Sequence, residues 1–205
     1  MNQSWTVPMS SRNDLSRNTA GTPLGAVGRG LAAGAVGTLA MDLLLYARYR
    51  RGGGTQHFFA WEFSSGLSSW DDAPVPGQVG KRLFEGLFQK KLPPQRAELV
   101  SNITHWAYGM LNGALYGIAA ESLGQPRTWY GLPFGAAVWA VDYTVLPAAG
   151  LYKPIQDYDR ETLAKDLTAP LVYGTTTAAA LRLLSPLIKH PLATFWRSAS
   201  VRRHP

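Results

Sequence analysis

Three ionisable side chains stand inside long apolar runs of this chain: Asp42, His105 and Asp142. Burying an Asp at the centre of a membrane helix costs about 2.5–3.5 kcal/mol on insertion scales, so each carboxylate needs a partner. Ionisable groups in that setting mark proton or solute paths, or they fix helix registry through interhelical hydrogen bonds. Tyr108, Asn112 and Tyr116 share the run that holds His105, and Tyr173 lies in the last one. Asp42, His105, Tyr108, Asn112, Asp142 and Tyr173 therefore form the candidate polar cluster, with the chemistry of a titratable relay. No residue is assigned as catalytic or as a metal ligand.

The elements that must position these groups are four apolar stretches. Gly30 to Ala47 carries one charge, Asp42; Ile103 to Ala120 carries no Asp, Glu, Lys or Arg. Gly131 to Leu151 carries only Asp142, and Leu167 onward is uncharged as far as Arg182. A bilayer core needs about 20 residues of helix. A soluble helix normally keeps a charged face, and Ile103–Ala120 has none. The expected fold is an all-α membrane protein, a four-helix transmembrane bundle with spans at about 28–48, 102–121, 131–151 and 166–186. Between the first two spans, Val79, Leu83, Phe84, Leu87 and Phe88 recur at helical spacing opposite Lys81, Arg82, Lys90 and Lys91. They predict an amphipathic helix over about 76–91, lying in the membrane interface or capping the bundle end. Residues 1–22 read as a disordered polar N-terminus without a signal peptide, residues 23–190 as the membrane domain, and 191–205 as a basic tail.

Helices in lipid approach closely through small residues spaced by four. Gly30, Gly34, Thr38 and Asp42 make one such ribbon, and His105, Gly109, Gly113 and Gly117 make another. Gly30, Gly34, Gly109, Gly113 and Gly117 are the expected packing residues. Asp42 lies about 7 Å, five residues, before its span ends. His105 lies about as close to the start of the next, so antiparallel packing predicts a direct or water-bridged Asp42–His105 contact. The same depth counting sets Asp142 beside Tyr173, Thr176 or Thr177. Ala40-Met41-Asp42 resembles Ala140-Val141-Asp142, Gly34-Ala35 resembles Gly135-Ala136, and Tyr108-Gly109 echoes Tyr173-Gly174 with His105 matched by Pro170. These echoes predict two helical hairpins related by duplication.

Composition sets further bounds. Only 16% of the 205 residues are charged, against about 25% in an ordinary soluble domain. The absence of cysteine excludes disulfides, cysteine-ligated zinc, thiol catalysis and iron–sulfur clusters. The net charge of +7 comes from groups such as Arg48, Arg50 and Arg51 that border apolar runs, without a nucleic-acid-binding module. The Lys and Arg distribution leaves the orientation in the membrane open. Asp157, Asp159 and Glu161 offer oxygens to a hard cation, although a solvated acidic loop explains them better, and Asp71-Asp72 reads as a turn or cap. With one histidine inside a span, two-histidine haem ligation does not fit, and no cofactor is expected.

Gly37-Thr38-Leu39-Ala40-Met41-Asp42, Thr104-His105-Trp106-Ala107-Tyr108-Gly109 and the Gly135-to-Asp142 segment resemble the YagU-like family of small bacterial inner-membrane proteins. Leu151-Tyr152-Lys153-Pro154 and Lys165-Asp166-Leu167 resemble actinobacterial-type versions of such chains. The resemblance covers about residues 24–185. It implies a multi-pass protein of the bacterial plasma membrane whose family activity is not established, and it supplies no catalytic residues. The expected function is a small proton- or solute-linked carrier using Asp42, His105 and Asp142. The alternative is a non-catalytic subunit or scaffold that binds another membrane protein, or a second copy, through its glycine faces. A lipid-directed enzyme would have only the Asp157–Glu161 loop to work with. The expected partners are the lipid bilayer and a membrane protein, not nucleic acid.

Overall fold

A computed structural model describes residues 22–124 and 126–185. The expected polar N-terminus (apart from Thr22), the basic tail and the last position of the fourth expected span lie outside the described residues. Among those residues there are six α-helices and no strand. They are α1 (Pro23–Arg51), α2 (Phe58–Glu62), α3 (Val75–Phe88), α4 (Ala97–Ser122), α5 (Gly131–Ala148) and α6 (Arg160–Leu184). The fold is all-helical.

Helix ends follow local chemistry. Thr22 Oγ1 accepts from the Gly25 N–H at 3.2 Å and Pro23 supplies a preset φ, which together start α1. Asp159 caps α6, accepting from the Thr162 N–H and hydroxyl, both at 2.8 Å. Helix α5 stops at Ala148, three residues short of the expected 151. Pro147 sits in its last turn, and Gly150 leaves the helix at φ 66°, a left-handed conformation that costs glycine nothing.

Helix α1 packs against both α4 and α6, and α6 against α5, while α3 lies on the first turns of α4. Contact between α1 and α4 is close because the facing residues have no side chain. A Cβ on Gly30 would lie 2.5 Å from the Gly113 carbonyl oxygen, and one on Gly34 would lie 2.5 Å from that of Gly109. The α5–α6 pair repeats this packing. Gly131 seats on Gly174 and Thr175 as Gly30 seats on Gly113 and Ala114, and Gly135 seats on Pro170 as Gly34 seats on Gly109. This packing pairs Gly113 with Gly174 and Gly109 with Pro170, a full turn away from the register that Tyr108-Gly109 and Tyr173-Gly174 suggest.

Small and polar residues make up much of the inside: Ala33, Gly34, Thr38 and Asp42 of α1, Gly109 and Gly113 of α4, and Gly174, Thr177 and Ala178 of α6 are buried, beside the larger Tyr116, Tyr173 and Leu181. Large apolar side chains point outward, among them Leu39 and Leu43 on α1, Ile103, Leu111 and Leu115 on α4, and Val141 and Val145 on α5. Helix α3 covers a little less of the chain than the predicted 76–91. It seats Gly77 and Gly80 against Ser101 and Thr104 of α4, leaving Leu83, Leu87 and Phe88 exposed.

Among the described residues, one helix is long and apolar enough to cross a membrane by length and composition: α1, with a mean hydropathy of 1.5 over its best window. Four spans are therefore more than the hydropathy of these helices establishes. Helices α4, α5 and α6 each carry Gly, Tyr and Thr together with ionisable residues such as His105, Asp142 and Asp166, which lower the mean.

Candidate functional site

Asp42 is eight residues beyond Gly34 on the buried ribbon of α1, and His105 is four residues before Gly109 on the facing ribbon of α4. The glycine contacts thus set the separation of the two side chains. His105 Nε2 lies 2.9 Å from Asp42 Oδ2, with Asp42 only 2% exposed. One step before Asp42, Thr38 donates its hydroxyl to the Gly34 carbonyl at 2.9 Å, which keeps the inner wall of α1 free of unpaired donors.

A third ionisable group joins from the first loop. Glu62, the last residue of the short α2, brings a carboxylate oxygen to within 4.8 Å of the ligand atoms of Asp42 and His105. Ring contacts hold α2 to the end of α1: Tyr46 packs edge-on to Phe58 at 5.2 Å, and Trp61 packs on Tyr46 at 5.5 Å and on Tyr49 at 5.9 Å. Asn102 of α4 donates to the Phe63 carbonyl at 2.7 Å. Burial, and then the neighbouring Asp42 charge, push the Glu62 carboxyl up to about 7, against partial compensation from His105 and the Trp106 indole. Glu62 Oε1 is shielded from solvent and accepts no hydrogen bond.

Asp142 takes a different partner from the one its depth suggests. The Tyr108 hydroxyl donates to Asp142 Oδ1 at 2.6 Å, joining α4 to α5. Depth counting along α6 pointed to Tyr173, Thr176 or Thr177, but the Tyr173 hydroxyl instead donates to the Gly109 carbonyl at 2.6 Å. That bond fastens α6 to α4 and occupies a carbonyl of the glycine ribbon. A cavity of about 60 Å³ lies between these groups, lined by Thr38, His105, Tyr108, Asp142 and Tyr173 among others. Asn112 lies one turn further on and donates to the Tyr108 carbonyl at 3.0 Å, so it holds the helix rather than the cluster. Tyr116 stacks on Phe134 with ring centroids 4.5 Å apart, and its buried hydroxyl has no partner.

The repeated packing extends to the polar pairs. Tyr143 is eight residues beyond Gly135, and Asp166 is four before Pro170, the same offsets that Asp42 and His105 have from Gly34 and Gly109. The Tyr143 hydroxyl donates to Asp166 Oδ2 at 2.7 Å. The counterpart of Asp42 is thus Tyr143, one position from the Asp142 that the sequence echo aligns with it. Glu62 and the Tyr143–Asp166 bond were not singled out from the sequence. The one signal for Glu62 was an acid set within the aromatic run Phe58-Phe59-Ala60-Trp61-Glu62-Phe63. No protein-family profile, curated protein or solved structure matches the chain.

Proposed function

We propose that the chain is a four-span protein of the bacterial plasma membrane and acts as a small carrier that passes protons, or a proton-linked solute, along its buried polar groups. The membrane part of this reading is supported by the inverted distribution of side chains. An inside mostly of Gly, Ala, Thr, Tyr and Asp, with many of the Leu, Ile and Val side chains outside, suits a solvent of hydrocarbon, where packing depends on small residues more than on apolar burial. In water the same outer surface would be an aggregation liability. Helix α3, basic on one side with Leu83, Leu87 and Phe88 exposed, suits the interface. The resemblance to the YagU-like family belongs to the same reading.

One observation carries the functional part: His105, whose Nε2 is paired with Asp42, and the Tyr108–Asp142 pair border one cavity. That cavity, about 60 Å³, is large enough to hold water, and in this reading such water is the bridge between His105 and Asp142. A proton leaving the imidazole would then cross to the carboxylate without entering lipid. The scaffold alternative needs a glycine ribbon free to meet a partner. Gly30, Gly34, Gly109 and Gly113 are instead engaged within the bundle. The Asp157–Glu161 loop offers no enzyme site, since Asp159 is occupied as a helix cap, where the Thr162 N–H and hydroxyl hold its carboxyl below the usual range.

The test is proton flux into vesicles containing the purified chain. Wild type should acidify the lumen faster than protein-free vesicles, and Asp42→Asn and Asp142→Asn should each remove most of the difference. Wild-type flux equal to that of empty vesicles sinks the carrier reading. A chain that stays folded and monomeric in buffer without detergent sinks the membrane reading beneath it.

A further inference from the structure

We propose that Asp42, Glu62 and His105 form a binding site for a divalent first-row transition-metal ion, assembled from α1, the first loop and α4. The inference does not depend on the carrier reading, since binding is measured without flux.

The donor set comes first. One imidazole nitrogen and two carboxylates are of intermediate hardness, suited to Mn²⁺, Fe²⁺ or Zn²⁺ rather than to Ca²⁺ or to copper(I). The separations come second. Donors about 2.1 Å from an ion and about 90° apart are about 3.0 Å from each other. His105 Nε2 and Asp42 Oδ2 already stand 2.9 Å apart. The ligand atoms of the whole set lie within 4.8 Å of one another, so Glu62 has a movement of about 1–2 Å to make. It ends a five-residue helix in a loop, where a rotamer change supplies that reach.

The third observation is independent of the clustering. Glu62 is 9% exposed, its Oε1 is shielded from solvent and has no hydrogen-bond partner, and a carboxylate oxygen of the same side chain lies within 4.8 Å of the Asp42 and His105 ligand atoms. A buried carboxylate oxygen without a donor is expensive, and beside a second carboxylate it is more so. Two carboxylates facing one imidazole leave the cluster an electron-pair-rich pocket that a dication would neutralise. The other carboxylate near His105, that of Asp142, accepts from the Tyr108 hydroxyl instead. Binding would also clip the first loop onto the α1–α4 pair, because Glu62 is the one loop ligand. His105 would act as a neutral ligand through Nε2, so its proton is displaced to solvent when the ion enters.

The experiment uses the full chain, purified in detergent and stripped with a chelator, with Mn²⁺ and Zn²⁺ as probes. Calorimetry should show one ion per chain for wild type. Glu62→Gln, which keeps the shape of the side chain, should weaken binding at least about 100-fold, beyond the 10–100-fold typical of residues that only support a ligand. Asp142→Asn and Tyr108→Phe, which belong to the proposed proton path, should bind as wild type does. Pulsed EPR of wild-type Mn²⁺ should show one coordinated imidazole nitrogen, and this reading needs no variant to fold. No stoichiometric binding by wild type, unchanged affinity in Glu62→Gln, equal loss in Asp142→Asn, or an EPR spectrum without imidazole coupling would each overturn the site. Wild-type binding together with flux equal to empty vesicles would keep the metal site and remove the carrier.

Discussion

Gly113→Ala puts one methyl group where two helix backbones meet. On the existing backbone that methyl would run into the Gly30 carbonyl oxygen and lie 2.5 Å from Gly34 Cα and 2.7 Å from Gly34 N. Ordinary contact begins at 3.4 Å, so α1 and α4 must part by about 0.9 Å. Neither neighbour is a side chain that can rotate away. Overpacking costs about 1–3 kcal/mol, and backbone obstacles place this case near 3. Alanine returns about 1 kcal/mol of helix propensity, leaving a net loss of about 2 kcal/mol. For a chain of this size that is a fall of about 4–8 °C in Tm. Gly28→Ala is the control on the same helix pair, because nothing lies within 4 Å of a Cβ built there. It should gain up to about 1 kcal/mol, or about 2–4 °C. Thermal unfolding of both variants in one detergent, followed by circular dichroism, makes the comparison. Parting the helices by that amount also lengthens the 2.9 Å Asp42–His105 contact to about 3.8 Å, so Gly113→Ala should lose metal affinity as well as stability. If the two variants melt within about 2 °C of each other, the helices are not held by close backbone contact and the reasoning fails.

Two further outcomes follow from the same geometry. The Glu62 carboxyl is pushed up to about 7 from its ordinary 4.5, facing Asp42, His105 and Trp106. Its contribution to stability is therefore fully present below about pH 4.5 and is lost as pH rises through 7, with a slope of at most about 1.4 kcal/mol per pH unit. In chelator-treated protein, denaturation midpoints across pH 4 to 8 should show this loss in wild type and not in Glu62→Gln; parallel curves would contradict it. Tyr143→Phe removes the 2.7 Å bond to Asp166, the second-pair counterpart of Asp42–His105. Because Asp166 is exposed, the loss should be about 1 kcal/mol in denaturant unfolding, with metal binding unchanged.

The helical class, the small-residue ribbons and the partnership of Asp42 with His105 were legible along the chain. Helical periodicity assigns residues four apart to one face, and equal distances from two span ends put two residues at one depth. Both are properties of single helices and hold before any packing is known. Gly30, Gly34, Thr38 and Asp42 share a face for that reason alone.

Which face meets which helix is a different matter, and only the tertiary structure decided it. Depth counting assigns Asp142 to α6, but α4 also reaches it, and the Tyr108 side chain is long enough to close the gap. The sequence echo of the two pairs ran one residue off at Asp142 and a turn off at Tyr173-Gly174, because helices joined through smooth glycine surfaces can slide by a turn without losing small-residue contact. Glu62 was beyond any periodic argument. It lies in a loop whose path depends on aromatic contacts with Tyr46 and Tyr49, so its approach to Asp42 and His105 exists only once the first loop has folded back on α1.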